Sequence, residues 1–402
     1  MFKKRFISML VLLAAVVTGA VAQTTYKVSV KEGTEDATSW TIAPPEATTT
    51  GVAQGTQVTA TYGGVKKVKS VKAVKKAPAG PPSWKLTLSS PAKDLYITAN
   101  GGLIAQHTLD VASTEFTVEM PELTSQTVNI VATDGSGNCW YCTQENMSFA
   151  IGQTYQSSPT MTALGTESTA DVYKMTGAGT IPDGKTVVLS GVNISGDQIA
   201  CSGNANIILL GSNTVTGASG NAAIKIGGSG TTLTITGSGS LTVNGGSSAA
   251  AIGTGYAYYN GSNKCGTITI NGGSVTAYGG YAGIGTGGAD QSSSNECVAI
   301  TINGGTVNAT GGNFSAGIGT GNANNSGSNK CGTITISTGV TSVTATKGKL
   351  SPNSIGKGYA RNSGTQTCGT ITIGGTIYWD GSDYQNDGEA YLGSDITYPT
   401  AP

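Results

Sequence analysis

Charge is scarce in this chain. Of 402 residues, 11% are Asp, Glu, Lys or Arg, in equal numbers of each sign, so the formal net charge is zero. That balance leaves no general electrostatic footprint for nucleic acid or an anionic membrane. Proline is missing between Pro182 and Pro352, so nothing in that span deletes a backbone donor from a ladder of paired strands. After the first residues no long apolar run occurs, which argues against a transmembrane anchor in the mature chain. Low charge does not mean disorder here, because the apolar residues are patterned.

What the chain does have is a repeat. A-A-I-G-T-G ends at Gly255, A-G-I-G-T-G at Gly287 and again at Gly321, and N-S-I-G-K-G at Gly358. Each is followed by a polar loop and a cysteine heading a Thr/Ile run, at Cys265, Cys297, Cys331 and Cys368. Ile252 to Cys265, Ile284 to Cys297, Ile318 to Cys331 and Ile355 to Cys368 each span 13 positions, whereas the return from cysteine to the next isoleucine grows from 19 to 21 to 24. One segment is fixed and the other takes the insertions, as in a solenoid whose equivalent residues must superpose.

Within a copy, three short runs alternate apolar and polar residues, as in T-I-T-I-N, S-V-T-A-Y and A-G-I-G-T-G. A period of two turns Ile268, Ile270, Val275, Ala277 and Ile284 inward. Ile300, Ile302, Val307, Ala309 and Ile318 match them, then Ile334, Ile336, Val343, Ala345 and Ile355. Three strands per turn with Gly or Asn corners describe a right-handed parallel β-helix over 170–402, in six or seven coils. K-T-V-V-L and N-I-I-L-L open its first two coils. The last copy turns acidic and aromatic, with Asp380, Asp383, Asp387, Glu389 and Asp395, as a solenoid cap should.

The preceding chain also reads as all-β. M-F-K-K-R-F, an apolar stretch and Ala20-Val21-Ala22 make a secretory signal peptide over 1–22, predicting a secreted or cell-surface protein. Residues 23–76 alternate as a small module of about four strands. Its lysines from Lys66 to Lys76 are read as protecting a sheet edge rather than binding a polyanion, because Val68, Val71 and Val74 interleave as a buried face would. A Pro/Gly linker covers 77–83. A second, β-sandwich-like module follows over 84–165.

Seven cysteines is an odd count for an exported chain, so at least one thiol is free or pairs between chains. Four of them keep the repeat register, which favours an inward ladder of small apolar side chains over cross-coil disulfides. Cys139-Trp140-Tyr141-Cys142 is a C-x-x-C, but no second such pair exists and the sole histidine, His107, is distant in sequence. A hairpin-end disulfide or two inert thiols fits better than a zinc or redox site. His107 reads as a surface or half-buried strand residue.

Between Cys201 and Asn329 the charged residues are Lys225, Lys264, Asp290 and Glu296. Lyases of this shape need carboxylates holding Ca2+ and a basic residue, and hydrolases need paired aspartates. That machinery is missing, so the chain is read as no enzyme. The loops after I-G-T-G are better placed to bind. Tyr256, Tyr258, Tyr259 and Tyr359 offer flat faces for sugar rings, and Asn260, Gln291, Asn324 and Arg361 offer hydrogen bonds. Against this stands the plain reading of solvated loops with tyrosines lying over glycine backbone. No cofactor is required; Asp290 and Glu296, or the acidic cap, are the oxygen ligands that would hold Ca2+.

Two resemblances add to this. The run I-T-I-N-G-G-S-V-T-A-Y-G-G-Y-A-G-I-G-T-G, with its C-G-T-I-T-I copies, resembles secreted bacterial carbohydrate-binding β-helix proteins over about 170–380. That resemblance implies a non-catalytic module for polysaccharide or host glycan, often with calcium, although no local motif carries the family's ligands over. The ending M-S-F-A-I-G-Q-T-Y-Q-S-S-P-T-M-T-A-L resembles fimbrillin-like modules of surface adhesins, over about 84–164. Three readings follow: an exported glycan-binding or adhesive protein, a stalk without ligand, and a pectate-lyase-like enzyme. The first is preferred.

Overall fold

The computed structural model describes residues 80–399 except 101, together with the backbone of the strands between Thr25 and Lys72. The leader expected over 1–22 and linker residues 77–79 lie outside the described residues. The chain divides into two compact units, Met1–Gly80 and Pro81–Pro402. In the first, Trp40–Ala43, Gln57–Tyr62 and Val65–Lys72 form a three-stranded antiparallel sheet. The lysine-rich strand takes an edge of that sheet, the position its lysines are read as protecting.

In the second unit, residues 83–163 build one six-stranded sheet. Its first strand, Ser83–Ala99, pairs with Gly102–Glu119 along one side. On the other side it meets Thr154–Ser157 and then Leu123–Thr133. Register breaks between Thr87 and Asp94 bend this long hairpin, because a bulge leaves a residue unpaired and turns the strand. The sandwich expected here is thus one continuous bent sheet, closed over Trp84, Leu86, Leu95, Ile97, Phe116, Ile130 and Phe149. His107 is half-buried, edge-on to Phe116 at 6.0 Å.

Three parallel sheets follow, forming the β-helix. The Thr-Ile sheet runs through Lys185–Ser190, Ala205–Leu210, Thr232–Gly237, Ser262–Ile270, Ser294–Ile302 and Ser328–Ile336. The Val-Ala sheet includes Ser240–Asn244, Ser274–Tyr278, Thr306–Thr310 and Ser342–Thr346, and the Ile-Gly sheet the short strands at Ile252, Ile284, Ile318 and Ile355. Pairing is residue for residue: Ile268 with Ile300 with Ile334, Val275 with Val307 with Val343, and Ile284 with Ile318 with Ile355. All these side chains are fully buried, and each such isoleucine is worth about 1.5–3 kcal/mol of transfer free energy. Most of the inserted residues leave at the corners between the Val-Ala and Ile-Gly strands, 279–283, 311–317 and 347–354, and the longest return also widens the preceding corner, 337–341 against 303–305.

The cysteine ladder is inside. Cys265, Cys297, Cys331 and Cys368 pair in register, all free and buried, with the first two sulfurs 3.3 Å apart. Neighbouring thiols and burial raise the thiol pKa of Cys297, Cys331 and Cys368 well above the ordinary range. Cys139 and Cys142 sit on one strand, three residues apart, and point to opposite faces of the sheet, one toward each core. Their Cα atoms are roughly 10 Å apart at about 3.3 Å per residue, beyond disulfide reach. The hairpin-end disulfide is therefore ruled out and the inert-thiol alternative stands; burial pushes Cys139 up to about 12.

Glycine in I-G-T-G is a steric requirement. Gly253, Gly285 and Gly319 have φ of 135°, 131° and 135°, and a Cβ on each would collide with the carbonyl oxygen of the next coil's glycine. Both the backbone angle and the close approach exclude other residues.

The far end is closed. Thr376–Trp379 folds back antiparallel on Ile371–Ile373, Ile396–Tyr398 runs antiparallel to Ser342–Thr346, and a short helix covers Gly388–Leu392. Trp379, Leu392 and Ile396 seal the stack's core. The bent sheet meanwhile lies on the outside of the first coils. Val188, Ile208 and Leu210 point outward from the Thr-Ile sheet and pack with Tyr96, Val131 and Cys139. Thr236 donates to Gln106 at 2.7 Å and Ser238 to Asp94 at 3.3 Å. The two expected domains, 84–165 and 170–402, therefore share one compact unit.

Candidate functional site

The fixed 13-residue arc explains why the loops after I-G-T-G stack. Each arc contains two consecutive non-glycine residues with positive φ: Tyr259 and Asn260, Gln291 and Ser292, Asn325 and Ser326, Asn362 and Ser363. That is the φ signature of a type I′ turn. Backbone bonds join each turn to the next, from Asn260 N to Gln291 O, Ser292 N to Asn325 O and Ser326 N to Asn362 O, each 3.0 Å. Bridges at Ala257, Ala289, Ala323 and Ala360 hold the turns in line.

Two side-chain ladders inside the turns were not anticipated from sequence. Thr254, Thr286 and Thr320 are buried and accept the amides of Gly287, Gly321 and Gly358 at 2.8–3.0 Å. Asn263 donates to Asn295 at 3.0 Å, while Asn295 and Asn329 donate to backbone carbonyls of their own turns. The signal for the second ladder was in the sequence, since each amide stands two residues before its cysteine, Gln366 included. These loops are rigid, hydrogen-bonded elements, suited to hold surface side chains in place.

On this frame the tyrosines separate by role. Tyr258 and Tyr259 are 48% and 69% exposed. Tyr258 stacks on Tyr256 at 5.8 Å, and Tyr259 meets Tyr258 edge-on at 5.0 Å. Tyr256 is half-buried and donates to Asp290 at 3.3 Å; burial first, and the Asp290 charge second, push its hydroxyl up to about 12. Asn260 and Gln291 are exposed beside this cluster.

Asp290 is the centre of a network across three coils. Its carboxylate accepts from Tyr256, from Asn325 at 2.9 Å and from Asn324 at 3.4 Å, and from its neighbour's amide. Asn324 is drawn inward, buried, and accepts from Asn362 at 2.9 Å. Glu296 points elsewhere, onto Lys330 at 2.9 Å, which lowers its pKa. The two acids thus serve different partners. Among the described residues no group of three or more His, Cys, Asp or Glu is placed to hold a metal ion.

The last coil differs. Where earlier copies carry Thr254, Thr286 and Thr320, this one carries Lys357; Gln366 replaces the ladder asparagines; and Tyr359 stands at the position of Tyr256, Gly288 and Asn322. Lys357, Tyr359 and Gln366, with Asn353 and with Tyr384 from the cap, line a cavity of about 480 Å³. Tyr359 is 37% exposed and lies against Phe314 at 5.9 Å, over which Arg361 also sits at 4.9 Å. Sequence reasoning singled out Tyr359 and Arg361 but missed Lys357 and Tyr384. The departure of N-S-I-G-K-G from I-G-T-G was the available signal for the first, and only the fold brings the second alongside.

A family model described as a beta helix repeat matches residues 268–288 and 300–322. Its matched stretches run from the Thr-Ile strands through the Ile-Gly arcs of two successive coils. No curated protein and no solved structure matches the chain. With the three parallel sheets, this makes the protein's C-terminal part a right-handed parallel β-helix, a fold shared by enzymes and non-enzymes alike.

Proposed function

We propose that this is an exported, non-catalytic carbohydrate-binding protein that uses the stacked turns beside the Ile-Gly sheet to hold glycan. The observation carrying this reading is the exposed tyrosine cluster on a rigid turn. Tyr258 and Tyr259 are held by aromatic contacts while their faces stay open. Aromatic faces flanked by amides suit sugar rings, which present apolar C–H faces and hydroxyl edges. Export rests on the leader pattern of residues 1–22.

The lyase alternative shares the fold but finds little support at its best candidates. The Asp290 carboxylate is occupied by amide and phenol donors, and Glu296 is paired with Lys330. Calcium at Asp290 would have to displace those donors.

The test is retention of the full chain on immobilised polysaccharides, neutral and acidic. Retention that falls on Tyr258→Ala and Tyr259→Ala supports the reading. Retention on no glycan overturns it in favour of a ligand-free stalk. Release of unsaturated or reducing products, lost in Asp290→Asn, would instead establish the enzyme.

A further inference from the structure

The last coil departs from the repeat at its I-G-T-G and ladder-amide positions, and there a cavity opens. Stacked coils repeat their residues because each must fit the next, so a cluster of departures lining one concavity points to a use other than stacking. Lys357 and Gln366 depart from every earlier copy, Tyr359 returns to the tyrosine that only the first copy carries, as Tyr256, and all three line the cavity bordered by Tyr384.

Each of these side chains is held by a neighbour that does the positioning. Lys357 Nζ sits 3.8 Å from the centre of the Trp379 ring, and Tyr384 packs edge-on to the same ring at 4.9 Å. The Tyr384 hydroxyl donates to buried Asn353 at 3.3 Å. Gln366 Nε2 donates to the Tyr359 carbonyl at 2.9 Å and to Gly321 O at 2.8 Å. Tyr359 rests on Phe314. Both tyrosines nevertheless remain 37% exposed, so their faces are open. A cation and two fixed aromatic faces around one cavity form a preorganised site.

Lys357 is the one charged residue among those lining this cavity. The carboxylates of Asp387 and Glu389 line a separate cavity that shares Tyr384 as a wall. We infer that the cavity between the last coil and the cap is a ligand subsite for a hydroxylated ring carrying one negative charge, held by Lys357 against the faces of Tyr359 and Tyr384. A sugar acid and a sugar phosphate share that chemistry. This inference rests on the carbohydrate-binding reading but locates a site apart from the Tyr258–Tyr259 cluster.

Calorimetric titration of the full chain with glucuronate, glucose 6-phosphate and glucose tests it. At least one anionic ligand is expected to bind, with glucose weaker by about tenfold, the factor that roughly 1.4 kcal/mol supplies. Stronger glucuronate than glucose 6-phosphate identifies a sugar acid as the source, and the reverse a phosphate. Lys357→Met should reduce anion affinity about tenfold and Lys357→Arg should restore most of it, with Tyr384→Ala weakening all ring ligands. An unchanged melting transition in these variants excludes a folding defect. Equal binding of glucose and the anions, no binding of any of the three, or full affinity in folded Lys357→Met would overturn the inference. Retention on polysaccharide that survives Lys357→Met and Tyr384→Ala leaves the general reading standing without this subsite, whereas loss of retention only in Tyr258→Ala and Tyr259→Ala places all binding at the turn cluster.

Discussion

The first coils and the later coils of the β-helix share one interior and differ in their outer face. Inside, Ile207 pairs with Ile235 and Ile235 with Ile270, and all are fully buried. Outside, Val188, Ile208 and Leu210 are apolar and covered by the bent sheet of 83–163. In later coils the outward positions of the same sheet are Thr269, Thr301 and Thr335, all half-buried. The interior defines the stack, and the exterior records what each stretch of the stack touches. Strands buried on both faces read as continuous apolar runs, and strands buried on one face alternate. N-I-I-L-L and T-I-T-I are those two cases side by side.

The largest effect should come from removing the cover. A fragment spanning 170–402 would expose the outward stripe of Val188, Ile208 and Leu210, and such a patch favours association. We expect that fragment to self-associate or to unfold without cooperativity, whereas 81–402 unfolds in a single transition by circular dichroism. A monomeric, cooperative 170–402 fragment would show that the two regions do not depend on the cover.

Inward positions should not distinguish the regions. Ile207→Ala and Ile300→Ala should each cost about 2–5 kcal/mol in urea unfolding, because both leave a cavity in the same stack. A much smaller cost at either would mean that the interior is not continuous.

At the turns the effects on stability are smaller and can change sign. Tyr259 has a φ of 51°, a region that costs a non-glycine residue roughly 1–2 kcal/mol. Tyr259→Gly should therefore leave stability unchanged or raise it by up to about 1 kcal/mol, while weakening retention on glycan. Loss of stability in this variant would mean that the ring supports the fold rather than a ligand.

The smallest effect belongs to the surface pair of Glu296 and Lys330. Lys330 holds the Glu296 pKa below its ordinary value, so its contribution is present above the unfolded carboxylate range. That contribution is lost as pH falls through the lowered folded value. With the lysine side chain 59% exposed and the glutamate 30% exposed, solvent screening limits it to about 0–1 kcal/mol. Glu296→Gln should shift unfolding by no more than that at neutral pH and by less in acid.

Much of this fold is legible in the sequence, for a physical reason. Where one face is buried and the other wet, period two is written into every strand, and Ile268, Val275 and Ile284 could be placed inward without coordinates. The cysteine ladder followed from the same register. The covered face of the early coils was less accessible: an apolar run such as N-I-I-L-L shows that both faces are buried, but not what lies on the outer one. The candidate site was legible in part. Tyr258, Tyr259 and Tyr359 are exposed on stacked turns, as their repeat positions suggest, whereas Asn324 is drawn into the Asp290 network and no local pattern reveals that. Lys357 and Tyr384 line one cavity because the chain folds back after its last coil, a juxtaposition that sequence spacing does not encode.

One pair of substitutions tests the central contrast most directly: Ile208→Asp and Thr301→Asp, compared by urea unfolding of residues 81–402. Both sit on the outward side of the Thr-Ile sheet. Ile208→Asp buries an unpaired carboxylate beneath the bent sheet and should cost about 3–5 kcal/mol. Thr301→Asp places its charge at the uncovered face and should stay within about 0.5 kcal/mol of the parent. Equal costs at the two positions would contradict the account, because the early and late coils would then not differ in what covers them.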